Sequence, residues 1–255
     1  MNKIGIAGYG FVGQAHHEAL KEYYDIIIFD PAKGHYGNLD YADGIIVCVS
    51  TPEAEDGSCD MRNVYDVVRD APHVPILIKS TISLEGWKKL CNGLLTCNCP
   101  KSLTFSPEFL RAKTALEDFR NIQTLLIGGD DVNLWSGIFL QALGNINVTV
   151  STPEELILTK YVRNTFLATK VAFFNEIYDL CEAANIDYTK VAELVIEDDR
   201  IGSSHTEVTK ERGYGGHCFP KDVNAILKTA ALFKNNLNIL ESAKNYNTSI
   251  RKDAK

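Results

Sequence analysis

Three groups of residues have the types and spacing for chemistry. The densest is Gly213-Tyr214-Gly215-Gly216-His217-Cys218-Phe219-Pro220-Lys221-Asp222. Its glycines let the backbone come close to another group. Pro220 suits the first position of a helix and Asp222 its first turn. Cys218 then stands just before a helix N-terminus with Lys221 three residues on, and both features favour thiolate over thiol. That is an arrangement for a nucleophile; a buried, inert cysteine in a Gly-rich turn is the plainer alternative. Adjacent side chains generally point apart, so His217 reads as a bystander rather than a base. The second group is Lys160 and Asn164, four apart in a helical pattern and so on one face. Both can donate hydrogen bonds to a substrate oxygen; a solvated helix face is the alternative.

The third group is Gly8-Tyr9-Gly10-Phe11-Val12-Gly13, directly after the strand-like Lys3 to Ala7 and directly before a helical stretch that runs to about Lys21. In that context Gly8 permits a tight turn, Gly10 lets the backbone approach a pyrophosphate, and Gly13 lets the helix pack on the strand. The helix N-terminus supplies N–H donors and partial positive charge for phosphates. Asp30, about 20 residues on and at the end of the next strand, falls where a carboxylate would accept from an adenosine ribose 2′-OH. It would repel a 2′-phosphate, so NAD is favoured over NADP. Lys33 either touches the adenosine end or is a plain surface lysine.

The elements that must position these groups alternate through the first half. Strands are expected at Lys3 to Ala7, Asp25 to Phe29, Gly44 to Ser50, Ile76 to Lys79, Thr104-Phe105, Thr124 to Ile127 and Val148 to Val150, with a helix near Arg62 to Arg69. Short, apolar, β-branched strands separated by helices predict a parallel sheet covered on both faces, a doubly wound α/β fold. From Thr152-Pro153-Glu154-Glu155 the pattern turns helical. Thr152 can cap, Pro153 suits the first helical position, and Glu155 stands where a capping-box acid belongs. One helix over about 153 to 184 would run about 45 Å at 1.5 Å per residue. Leu156, Ile157, Tyr161, Val162, Phe166, Leu167, Val171, Phe173, Phe174 and Ile177 leave it apolar on more than one side. That is wider than the stripe a single core needs, and it predicts packing against a second copy of the chain. Further helices are expected at Thr189 to Ile196, 221–233 and 237–250. The reading is a Rossmann-like cofactor domain over 1–150 and an all-helical domain over 151–255.

The 255 residues are 45% hydrophobic and 23% charged, an ordinary globular composition that argues against disorder. No apolar run approaches the ~20 residues of a membrane span, and no signal peptide is read at the N-terminus. The net charge of −7 offers no basic face for nucleic acid. Seven cysteines, an odd number, suggest reduced thiols and a cytoplasmic protein. Cys97-Asn98-Cys99 with Cys91 invites a zinc reading, but the spacing is not C-x2-C and no second ligand pair follows, so no metal is expected.

Taken together, the chain resembles the UDP-glucose/GDP-mannose dehydrogenase family. The resemblance rests on Gly8 to Gly13, Val49-Ser50-Thr51-Pro52 leading to Asp56-Gly57-Ser58-Cys59-Asp60, Lys79-Ser80-Thr81, Ser106-Pro107-Glu108-Phe109-Leu110-Arg111, Lys160 to Asn164, Asn175-Glu176, Asp199-Arg200-Ile201-Gly202 and Gly215 to Asp222, in that order along nearly the whole chain. It implies a four-electron oxidation of a sugar C6 alcohol to a carboxylate with two NAD, by way of a thiohemiacetal and a thioester on Cys218. UDP-glucose is the family's default substrate. The resemblance further implies that Lys160 and Asn164 stabilise oxyanions and that Glu108 is the general base for thioester hydrolysis. Asp222 and Thr81 would position the water and tune Lys160. NAD would be held by Gly8, Gly10, Phe11, Val12, Gly13, Asp30, Lys33, Thr51, Pro52 and Thr81. Phe109, Leu110, Arg111, Lys160, Asn164, Gly215 and Gly216 would hold the nucleotide sugar, and Arg200 would reach its diphosphate or sugar across a dimer interface.

The sequence departs from the family in two places. Ala112 stands where a second Glu is frequent, which leaves Glu108 to act alone. The expected third, nucleotide-binding domain is not in these 255 residues, and a separate chain is one source for it. Two other readings stay open. Single-step β-hydroxyacid dehydrogenases also join a nicotinamide domain to a long helix with a Lys and an Asn four apart, and they need no thiol. A non-catalytic NAD-binding module is the other.

Overall fold

The computed structural model describes residues 1–96 and 101–251. Cys97 and Cys99, weighed above as metal ligands, lie outside the described residues. The chain divides into two compact units: Met1–Pro52 with Cys59–Lys160, and Glu53–Ser58 with Tyr161–Lys255.

The first unit contains β1 (Lys3–Ala7), α1 (Phe11–Leu20), β2 (Asp25–Asp30), β3 (His35–Tyr36), β4 (Gly44–Val47), α2 (Arg62–Asp70), β5 (Ile76–Ile78), α3 (Leu84–Thr96), β6 (Leu103–Phe105), α4 (Ala115–Arg120), β7 (Thr124–Gly129), α5 (Val132–Leu143) and β8 (Asn147–Val150). The strands form one sheet in the order β3-β2-β1-β4-β5-β6-β7-β8. β1 pairs in parallel with β2 on one side and β4 on the other. The winding therefore reverses beside β1, and in an open α/β sheet ligands bind at such a switch point, outside the carboxyl ends of the strands. The Gly8 to Gly13 loop leaves β1 there. Ile45, Ile46 and Val47 are fully buried, as a central strand covered on both faces requires. Ile4, Leu20, Ile46, Leu77, Phe119, Ile127, Trp135 and Phe139 belong to one apolar core of the sheet and its helices.

The sheet corrects the expectation of purely parallel strands at two pairings. β3, which the sequence pattern did not reveal, pairs antiparallel with the edge of β2, and β6 pairs antiparallel with β7. An antiparallel pair needs no full crossover. The segment between β6 and β7 thus starts and ends at the same end of the sheet, with only the short α4 inside it. That segment carries Ser106 to Arg111.

The second unit takes most of α6 (Pro153–Ala184), with α7 (Tyr188–Val195), α8 (Cys218–Leu232) and α9 (Asn238–Ile250). The expected capping box opens α6. Thr152 Oγ1 accepts from the Glu155 N–H at 3.3 Å, and Glu155 Oε2 accepts from the Thr152 N–H at 3.1 Å. Its end is a Schellman turn built without glycine. Asn185 adopts φ 59°, the Ile186 N–H donates to Cys181 O at 2.9 Å, and the Asn185 N–H donates to Glu182 O at 3.2 Å. Phe174, Cys181 and Tyr188 bury together with Ile177 and Val191. Val162, Phe166, Phe173 and Leu180 remain exposed on α6, Phe166 by 64%. Among the described residues, no helix is long and apolar enough to cross a membrane.

Candidate active site

At the end of β1 the backbone turns at Gly8, whose φ is +91° and where a Cβ would lie 2.6 Å from Cys48 O. A Cβ at Gly13 would lie 2.1 Å from Gly8 O, so α1 can sit against the turn only with glycine there. At Gly10 a Cβ would meet nothing within 4 Å, and no side chain caps the α1 N-terminus that Gly10 opens. An open approach to uncapped N–H groups fits a pyrophosphate. Asp30 ends β2 and accepts the Tyr9 N–H at 2.7 Å, which fixes its carboxylate beside the glycine loop. Lys33 donates to Tyr9 O at 2.8 Å and so folds back on the same loop. Phe11 and Pro52 are exposed, Val12 and Thr81 half-buried and Thr51 buried, and the Thr81 carbonyl accepts the Cys59 thiol at 3.6 Å. The residues present fit NAD. Gly8, Gly10, Phe11, Val12 and Gly13 would face its pyrophosphate and Asp30 its adenosine ribose.

Beyond β6 the structure reveals a buried charge cluster that sequence reasoning did not find. Lys79, at the end of β5, donates to Ser106 Oγ at 2.9 Å, and its Nζ lies 3.1 Å from Glu108 Oε2. His16 Nε2 lies 3.8 Å from the same carboxylate oxygen; the His16 and Glu108 side chains are 0% and 7% exposed. Neither Glu108 Oε2 nor His16 Nε2 has a geometrically aligned hydrogen-bond partner, so the contact with Lys79 is an ion pair without a good hydrogen bond. Glu108 Oε1 accepts the Phe109 N–H at 3.0 Å. The imidazole lies against Phe119 and Phe139, with ring centroids 4.5 and 5.7 Å away. Burial, and after it the Lys79 ammonium, push His16 down to about 4. Burial alone would raise the Glu108 carboxyl, but Lys79, with His16 and the Phe109 N–H, holds it below the usual range. On the outer side, Lys160 Nζ donates to the Glu108 carbonyl at 2.5 Å and sits 5.1 Å from the Phe109 ring centre.

In the second unit α8 begins at Cys218, two residues before Pro220, which corrects the expected start. The first four N–H groups of a helix have no intrahelical partner, so proline is tolerated anywhere in that turn. Cys218 is exposed at the helix N-terminus. The expected help from Lys221 changes too: its ammonium lies 2.7 Å from Asp222 Oδ1. Asp222 is 1% exposed, and its other oxygen accepts Asn164 Nδ2 at 2.5 Å. That bond ties the helix that starts at Cys218 to α6. The glycine loop before Cys218 hangs on two buried amides. Asn175 Oδ1 accepts the Gly213 N–H and the Arg212 guanidinium, and Asn247 Oδ1 accepts the Tyr214 N–H at 2.7 Å. Gly215 lies against the Arg251 guanidinium, and Gly216 is exposed. Glu53 accepts from Asn224 at 2.8 Å and Asp56 pairs with Lys228 at 3.1 Å, so the segment 53–58 is fastened to α8.

The first unit thus joins Glu108 with Lys160 and Phe109, and the second joins Asn164 with Asp222. Two expected substrate ligands are instead engaged with neighbours at the surface. Arg111 makes a bidentate pair with Asp118, and Arg200, with a side chain 88% exposed, does so with Asp198. Leu110 is half-buried. Sequence reasoning missed His16 and the partnership of Lys79, which come together across most of the first unit. The available signal was a histidine on the buried stripe of α1 with Gly13, Ala15 and Leu20.

Residues 32–138 match the NAD binding domain of the UDP-glucose/GDP-mannose dehydrogenase family, and residues 155–249 match its central domain. The UDP-glucose 6-dehydrogenase YwqF of Bacillus subtilis is 35% identical over 216 residues, covering 80% of this chain and 48% of that protein. The UDP-glucose 6-dehydrogenase of Rhizobium meliloti is 31% identical over 239 residues, covering 80% of this chain and 54% of its own length. The chain therefore spans about half the length of these relatives. A UDP-glucose dehydrogenase from Pyrobaculum islandicum superposes with a TM-score of 0.85 at 25% identity, covering 98% of this chain and 68% of that one. The 3-hydroxyisobutyrate dehydrogenase of Mycobacterium tuberculosis shares the fold, at a TM-score of 0.72 and 17% identity, over 96% of this chain and 92% of its own. With both of these domains matched, the chain belongs to the UDP-glucose/GDP-mannose dehydrogenase family.

Proposed function

We propose that this chain carries the cofactor and catalytic residues of an NAD-dependent nucleotide-sugar 6-dehydrogenase, with UDP-glucose as substrate and UDP-glucuronate as product. The observation that supports it most is the Asn164–Asp222 hydrogen bond, which ties the helix that begins with an exposed cysteine to the helix that carries a candidate oxyanion donor. A one-step hydroxyacid oxidation has no use for that cysteine. The shared fold with a hydroxyisobutyrate dehydrogenase leaves the choice to the site.

NAD, when bound, supplies the hydride acceptor for both oxidations. The chain's own groups do the rest. The Cys218 sulfur adds to the aldehyde carbon, and Lys160 and Asn164 donate to the oxyanion that results. At the thioester, Glu108 takes a proton from the attacking water, and Cys218 leaves as thiolate. Asp222 holds Asn164 in place through its buried carboxylate. Phe109, Leu110, Gly215 and Gly216 offer backbone to the nucleotide sugar, and Arg111 and Arg200 must leave their carboxylate partners to reach a diphosphate. A second copy covers Val162, Phe166, Phe173 and Leu180 of α6, giving a homodimer. An odd number of cysteines suits a reducing cytoplasm.

The test is to supply the purified chain with NAD and a panel of nucleotide sugars and to count NADH. Two NADH per sugar, with UDP-glucose the best substrate, is expected. One NADH per substrate would favour the hydroxyacid reading. NAD binding without turnover of any sugar would favour the non-catalytic module.

A further inference from the structure

His16 belongs to the buried cluster, and the family reading gives it no role. Its Nδ1 lies 2.9 Å from the Val12 carbonyl, and a carbonyl only accepts, so Nδ1 carries the proton. In the neutral ring Nε2 is then bare. It is buried, has no hydrogen-bond partner, and faces Glu108 Oε2, whose charge is met by Lys79 Nζ at 3.1 Å. A bare nitrogen facing a carboxylate oxygen at 3.8 Å gains nothing in the ionised state. The same pair makes a good O–H···N hydrogen bond once Glu108 is protonated and the gap closes by about 1 Å.

We infer that His16 is a positioning residue for Glu108: its bare Nε2 receives the hydrogen bond of the Glu108 acid form that thioester hydrolysis produces. The inference rests on the dehydrogenase reading. In that step the water oxygen bonds to the acyl carbon, the C–S bond breaks with its electron pair leaving on Cys218, and one water proton moves to Glu108. A glutamate carboxyl turns about its last torsion within a broad, two-fold profile. Whichever oxygen takes the proton can therefore present it to Nε2. The other charged group that faces the imidazole is the Lys79 ammonium. It opposes an imidazolium, so the proton stays on Glu108 and is returned from there. As a neutral ring His16 thus makes Glu108 a better proton acceptor, the opposite of what an imidazolium there would do, while Lys79 keeps it ionised between turnovers.

The experiment compares wild type with His16→Phe, which keeps an aromatic ring against Phe119 and Phe139, and His16→Gln, which restores a polar atom near Nε2. Pre-steady-state NADH release reports the steps before hydrolysis, and the steady-state rate reports hydrolysis. The Phe variant is expected to keep the burst and lose about tenfold in the steady-state rate, with its acid limb moved to lower pH. The Gln variant should regain part of both. Unchanged steady-state rate and pH profile in the Phe variant would overturn the role. A wild-type chain that oxidises no nucleotide sugar would sink the dehydrogenase reading itself, and the role with it. Should the Phe variant misfold, ¹⁵N NMR of wild-type His16 decides. The Nδ1–H tautomer at neutral pH is expected, and an Nε2–H tautomer, which would favour the carboxylate instead, would overturn the proposal.

Discussion

In the first unit, Glu108 lies almost wholly buried between Lys79 and His16, with one oxygen held by its own neighbour's N–H. In the second, Cys218 stands exposed at a helix N-terminus, and the buried carboxylate four residues on, Asp222, is bonded on both oxygens. The contrast follows what the proposed role of each group requires. A proton acceptor is tuned by its neighbours, and these act strongly only where water is excluded. A sulfur nucleophile must be reached by its substrate, so the fold steadies its surroundings and leaves the atom itself open. Three buried side chains, Asp222, Asn175 and Asn247, do that steadying, and none of them is on the loop they hold.

The contrast breaks most completely at Cys218. Cys218→Ala is expected to lower nucleotide-sugar turnover by at least about 10⁴-fold. It should leave the stability measured in urea within about 0.5 kcal/mol of wild type, because the side chain is exposed. Lys79→Met should do the reverse. Removing one partner of a buried pair leaves an uncompensated charge, so unfolding in urea should show a loss of about 3–5 kcal/mol. A loss below about 1 kcal/mol would mean that Glu108 is rehydrated in the variant and that the cluster is not a dry one.

Acid sharpens the comparison next. His16 titrates lower in the folded state, about 4 against the usual 6.5, so between those values the unfolded chain binds more protons. Its contribution is complete above pH 6.5 and is lost as pH falls toward 4, by about 3 kcal/mol. The Glu108 carboxyl is also depressed, so its share is present above the unfolded value of about 4.3 and goes as pH falls through the folded one. Stability curves at pH 7 and pH 4 should therefore differ less in His16→Phe than in wild type. An equal difference in both would remove His16 as the titrating group. The smallest effect is at the surface. Arg200→Ala breaks an exposed pair with Asp198 and should leave the urea unfolding curve essentially unchanged. Any larger fall in turnover then reports substrate contact.

The parts of the fold and site that could be read in sequence share one physical property: the signal is local. The capping box of Thr152 and Glu155, the bounds of α6 and β1, and the Gly8 to Gly13 turn each depend on residues within one or two turns of each other. Less could be read where the chain's own path decides. Nothing in Thr124 to Gly129 announces that β7 runs against β6, because both directions bury the same alternation. The start of α8 at Cys218 rather than Pro220 depends on where the glycine loop is pinned by Asn175 and Asn247.

By itself the sequence determined most of the strands, the dinucleotide turn and the long helix α6, since backbone conformation and capping are set by near neighbours. Only the tertiary structure decided the state of the charges. His16, Lys79 and Glu108 come from α1, β5 and the segment after β6, and neighbouring strands bring together residues far apart in the chain. Their burial is what makes a short separation count. Lys221 was expected to serve Cys218 and instead pairs with Asp222, because a buried carboxylate with an ammonium within reach cannot be left uncompensated.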